Sequence, residues 1–139
     1  MTIKYNILFR ACDKVESVHN AQRPFNLNKI QIIKVSFYSL YQSLKGAEYQ
    51  FIIIGDDLSQ ELIEFFSKFE DIVIYNKILG SAAKSLQEQI TLALDIPSDE
   101  WIYMCEDDYL HLPHSFISVS YTHLRAHETV LEPVCRLLL

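Results

Sequence analysis

Along the 139-residue chain, short apolar runs alternate with longer stretches whose apolar residues recur at helical spacing. The run Lys4 to Phe9 (KYNILF) is mostly apolar and is closed by polar residues from Arg10 to Lys14, which predicts a strand. Pro24 and two Asn then precede Ile30, Ile33, Phe37, Leu40 and Leu44, whose steps of 3, 4, 3 and 4 lay one stripe on a helix ending near Gly46. The unbroken β-branched run Ile52 to Ile54, stopped at Gly55, fits a strand buried on both faces. Leu62, Phe65, Phe66 and Phe69 predict a second helix with Ser59 as a candidate cap, and DIVIYN a third strand. A third helix opens on Gly80 and Ser81, repeats Ala83, Leu86, Ile90 and Leu94, and is stopped by Pro97; WIYMC (Trp101 to Cys105) is the fourth strand.

Helices between successive strands imply parallel connections, and hence an α/β fold: a mostly parallel open sheet with helices on both faces. Ligands of such sheets bind outside the carboxyl ends of the strands. Polar residues stand at three of those ends: Arg10 to Asp13, Asp56 with Asp57, and Glu106, Asp107 and Asp108. No internal repeat, low-complexity segment or linker interrupts the chain before Ser118.

Composition narrows the function classes. Half the residues are hydrophobic, enough to bury a core, and the net charge of −6 argues against a nucleic-acid partner, which needs a basic face. No apolar run approaches the roughly 18 residues of a membrane helix, and the N-terminus lacks the form of a signal peptide. The expected location is cytoplasmic, with no membrane segment. Cys12 and Cys105 are then expected to be reduced packing residues.

The C-terminal stretch departs from this pattern. VSYTHLRAHET (Val119 to Thr129), back-translated, resembles the transposon-end adapter of a DNA sequencing library, and VCRLLL (Val134 to Leu139) resembles its continuation. Residues 119–139 are therefore expected to be an artefactual tail, and 1–118 the first part of a longer domain. His123, His127 and Glu128, which have metal-binding helical spacing, leave with that tail. The tail holds two basic and two acidic residues, so the remaining charge is unchanged.

Three adjacent carboxylates at a strand end repel one another, and partial shielding from water raises the cost. A divalent cation relieves it, and Mg²⁺ or Mn²⁺ prefers such hard oxygen ligands. The competing reading is a solvated acidic loop tip. His111 and His114, beyond the motif, read as loop histidines ahead of metal ligands, Cys105 as a small buried hydrophobe, and Tyr103 and Trp101 as core or helix-facing residues.

CEDDY after an apolar strand resembles the DxD-type motif of glycosyltransferases with the type-A fold, especially family 2 enzymes. The resemblance covers residues 3 to about 116: a strand and polar turn, a strand ending GDD, a third strand, a Gly-Ser-Ala-Ala-Lys helix and the carboxylates. FRACDK, NAQRPF and EDDYLHLP also look like a bacterial group within that superfamily. It implies the Rossmann-like nucleotide-binding half of that fold, truncated here. It further implies a nucleotide diphosphate sugar donor and a saccharide or lipid-linked acceptor.

By the same resemblance Asp108 coordinates the metal, and Glu106 or Asp107 lies toward the ribose and diphosphate. Asp56 addresses the base, Lys84 faces the nucleotide, and Arg10 and Asp13 form the first nucleotide-contacting turn. Ser85 and Gln87 depart from the Asn and Gly usual at their positions. The catalytic base is implied to lie downstream of the motif, so this chain is expected to bind donor weakly and not to turn over. Two other classes remain: a receiver-like phosphoacceptor domain, with Asp56, Asp57 and Asp108 as its acidic set, and a non-catalytic α/β binding module whose acidic strand ends only cap helices.

Overall fold

The computed structural model describes residues 4–14 and 22–118; the 119–139 tail lies outside the described residues. Four strands, β1 (Lys4–Ala11), β2 (Glu48–Asp56), β3 (Ile72–Lys77) and β4 (Trp101–Cys105), form one sheet in the order β3-β2-β1-β4. All pairings are parallel, with Phe9 opposite both Ile53 and Cys105. Three helices connect them: α1 (Lys29–Ser43), α2 (Gln60–Phe66) and α3 (Ala82–Leu94). The predicted α/β class, with its parallel sheet and flanking helices, is the observed one.

Alternation along the strands divides the core between two faces. Ile7, Phe9, Phe51 and Ile53 point to the side of α1 and α2, where they meet Ile33, Phe37, Leu40, Leu62 and Phe66, all fully buried. Phe37 is the hub of this layer, its ring centroid 4.8 Å from that of Phe69, 5.0 Å from Phe66 and 5.2 Å from Phe51. On the other side Leu8, Ile52 and Ile54 pack against Leu92, Ala93 and Ile96 at the end of α3. The central strand β2 is buried on both faces, as its unbroken apolar run predicts.

Helix starts follow local chemistry. Asn28 caps α1 in a reciprocal box with Gln31, after a short 3-10 turn at Pro24–Asn26. Ser81 caps α3 by accepting from the Lys84 amide. Ser59 occupies the cap position of α2, yet its hydroxyl makes no capping bond; its amide instead donates to Asp13.

α3 buries a face other than its apolar repeat. Ser85 and Gln89 are buried, while Leu86, Ile90 and Leu94 are 41%, 45% and 79% exposed. Gln89 explains the rotation: its amide nitrogen donates to the carbonyl oxygens of Leu8 at 2.7 Å and Cys105 at 3.4 Å, tying β1 to β4. Residues one position along a helix lie about 100° away, so seating Gln89 on the sheet turns Ile90 off it.

After β4 the chain turns back along the α1 face. Phe116 packs edge-on against Tyr5 and Tyr103, with ring centroids 5.0 and 5.4 Å away. Residues 106 to 118 therefore form a strap from the carboxyl end of β4 down its α1-facing side.

Candidate functional site

The chain runs from β1 outward through β2 to β3, then returns to place β4 on the other side of β1. Strand order thus reverses between β1 and β4, and the crevice outside their carboxyl ends is where open α/β sheets take ligands. Arg10 and Cys12 come to it from β1, Glu106 to Asp108 from β4, and Lys29 from the first turn of α1.

The three carboxylates have three different environments. Glu106 forms an ion pair with Arg10, whose guanidinium also donates to the Ala82 carbonyl at 3.1 Å and so ties the turn after β4 to the start of α3. Asp107 is buried; it accepts from the Cys12 amide at 2.9 Å and pairs with Lys29 at 2.7 Å. Burial raises its pKa, against the opposing pull of Lys29 and the Cys12 amide. Asp108 is exposed and, among the described residues, makes no hydrogen bond or ion pair.

The cost of adjacent negative charge is therefore met within the chain by two cations and a backbone amide, leaving one carboxylate unassigned. Among the described residues no group of three or more His, Cys, Asp and Glu side chains is arranged to hold a metal ion. Glu106 and Asp107 point to their own partners, and the trio does not converge.

The other predicted residues are distributed around this crevice. Asp56 is buried at the end of β2 and accepts from the amides of Leu79 at 2.7 Å and Gly80 at 3.0 Å. It shapes the β3–α3 loop, where Gly80 adopts a φ of +76° that favours glycine. Asp13 accepts from the Ser59 amide at 3.2 Å and so holds the start of α2. Asp57 pairs with Lys14 and does not cap α2. Lys84 is exposed, with no side-chain hydrogen bond among the described residues. Gly55 admits the loop after β2: a Cβ there would lie 2.5 Å from Leu58 Cδ1 and 2.8 Å from Asn76 Oδ1.

Three groups were not legible as site residues. Lys29 carries no local signal, since only the fold brings the first turn of α1 to Asp107. The Cys12 amide is backbone and invisible to residue type. His111, read from sequence as a loop histidine, is 5% exposed. Its Nε2 lies 2.9 Å from the Tyr103 hydroxyl and its amide donates to Ser39 Oγ at 3.0 Å. Burial lowers its pKa to about 4. His114, by contrast, is exposed, and Cys105 is buried with its thiol pushed up to about 12.

Compared with known proteins, the chain matches no family model, no curated protein and no solved structure.

Proposed function

We propose that this chain binds a nucleotide diphosphate sugar in the crevice between β1 and β4, as the donor-binding part of a glycosyltransferase. The observation that carries the reading is the position of the CEDDY turn: its carboxylates stand at the point of strand-order reversal, against the polar turn that ends β1. Sequence resemblance supplies the donor class, and the acceptor is a saccharide or lipid-linked hydroxyl.

One carboxylate of the three is available to a hard divalent cation, Mg²⁺ or Mn²⁺, the ion that the resemblance implies. Such ions are commonly held by one or two carboxylates, with substrate phosphates and water completing the shell. Asp108 is the carboxylate left free for that role. The cation when bound supplies Lewis-acid stabilisation of charge on the departing diphosphate. Arg10 and Lys29 hold Glu106 and Asp107 so that the turn presents Asp108 outward. Asp56 holds the amides of the β3–α3 loop, and thereby the N-terminus of α3 and Lys84, beside the crevice.

A second reading is favoured by the same ion pairs: two of the three carboxylates are already satisfied inside the chain, as in a binding module with no metal. Metal dependence separates the two. Calorimetric titration of the full chain with UDP, GDP and dTDP, each with and without Mn²⁺, should show binding of one nucleotide that requires Mn²⁺ and is lost in Asp108→Ala. Binding indifferent to Mn²⁺, or no binding of any of the three, contradicts the proposal.

A further inference from the structure

The strap after β4 contains two buried polar side chains, Asp107, already described, and His111, which is likewise joined to two other elements. His111 lies three residues beyond Asp108, with its ring bonded to Tyr103 of β4 and its amide to Ser39 of α1. Ser39 in turn donates to the Ser36 carbonyl at 2.8 Å, so its hydroxyl is engaged in both directions. His111 Nδ1 is buried without a partner among the described residues, as is Ser36 Oγ on the same helix. Unpaired buried polar atoms oppose folding, and an apolar residue of similar size would avoid that cost. Core packing alone therefore does not call for an imidazole at this position. Its neighbours Leu110 and Leu112 are each 69% exposed, so the strap is not held there by apolar burial.

We propose that His111 is a positioning residue for the carboxylate turn. Its links to Tyr103 and Ser39 pin the chain just beyond Asp108, while Lys29 and the Cys12 amide pin Asp107 just before it. Asp108 is held between these two anchors, with no hydrogen bond or ion pair of its own among the described residues. The inference rests on the donor-binding reading above for the role of Asp108, but the anchoring itself is independent of it.

The test uses the full chain and four variants: Tyr103→Phe, Ser39→Ala, His111→Leu, and His111→Gln, whose side-chain amide can reach the Tyr103 hydroxyl. Hydrogen exchange at the amides of residues 106–111 reads the anchor, and calorimetry with UDP, with and without Mn²⁺, reads its consequence. The first three variants should exchange faster in this segment alone and weaken Mn²⁺-dependent UDP binding about tenfold, in the range found for groups that orient metal ligands. Exchange elsewhere in the chain should not change, and His111→Gln should restore both readouts. A purely structural role would raise exchange throughout the chain together with the loss of Mn²⁺-dependent binding and would overturn the proposal. If the unsubstituted chain shows no Mn²⁺-dependent binding of UDP, GDP or dTDP, the donor reading fails. Hydrogen exchange then decides the anchor: local loss of protection upholds it, and unchanged protection at 106–111 overturns it.

Discussion

Lys29 and Asp107 show how much at this site depends on single side chains. Both are largely buried, at 22% and 11% side-chain exposure. Removing one member of such a pair leaves the other uncompensated. Lys29→Met should raise the Asp107 pKa further and cost about 2 kcal/mol of stability. Asp107→Asn keeps an acceptor for the Cys12 amide and leaves unpaired only Lys29, the more exposed partner, so it should cost clearly less. Urea unfolding at pH 7 gives both values, and equal losses would contradict this account. His111 adds a pH dependence with a definite sign. Its folded pKa is depressed from 6.5 to about 4, so its contribution is fully present above about pH 6.5 and is lost as pH falls toward 4. Unfolding curves between these limits should show the unsubstituted chain losing up to about 3 kcal/mol relative to His111→Gln; parallel curves would be the contrary result. The acidic residues at strand ends were legible because their position follows from strand boundaries. Lys29 and His111 were not, because what makes them matter is a partner 78 residues away for one and 72 for the other.

At the scale of elements, periodicity located the four strands and α1, α2 and α3, but not the 3-10 turn at Pro24–Asn26, and it identified the buried faces of α1 and α2, but not that of α3. The difference lies in chemistry: α1 meets a face made of Phe9, Phe51 and Ile53, which rewards any large apolar stripe. α3 packs on β1 and β2, and Gln89 reaches the backbone carbonyls of Leu8 in β1 and Cys105 in β4 and takes the central position. Three substitutions measure this. Phe37→Ala, in the middle of the aromatic layer, should cost 3 to 5 kcal/mol, as large-to-small core changes do. Leu94→Ser, on the exposed repeat, should change stability by no more than about 0.5 kcal/mol. Gln89→Leu should cost more than Leu94→Ser, despite adding apolar surface, because it removes the bonds to Leu8 and Cys105. A larger loss for Leu94→Ser than for Gln89→Leu would mean that α3 sits on its apolar stripe after all.

For the whole molecule, the order β3-β2-β1-β4 decides what the acidic turn faces. Returning β4 to the far side of β1 sets Glu106 and Asp107 against Arg10 and Cys12, residues more than 90 positions earlier. The net charge of −6 makes the molecule as a whole repel a nucleotide diphosphate, so attraction must be local. Arg10 and Lys29 are already paired with carboxylates, so in the proposed donor complex Lys84 and a bound divalent ion would offset the diphosphate charge. The parallel sheet was legible from the alternation of runs, because each crossover helix is long enough to be recognised. The division of labour among Glu106, Asp107 and Asp108 was not, because the three differ only in what the fold brings to each.

That division is the central claim: two carboxylates are structural and one is free for a cation. Its most direct test is NMR of the side-chain carboxyl carbons of the ¹³C-labelled full chain, titrated with substoichiometric Mn²⁺ in the presence of UDP. The account predicts that the Asp108 signal broadens first, with Glu106 and Asp107 following only at higher Mn²⁺, and that Asp108→Ala removes the early effect. Uniform broadening across all exposed carboxylates, or early broadening that survives Asp108→Ala, would contradict it.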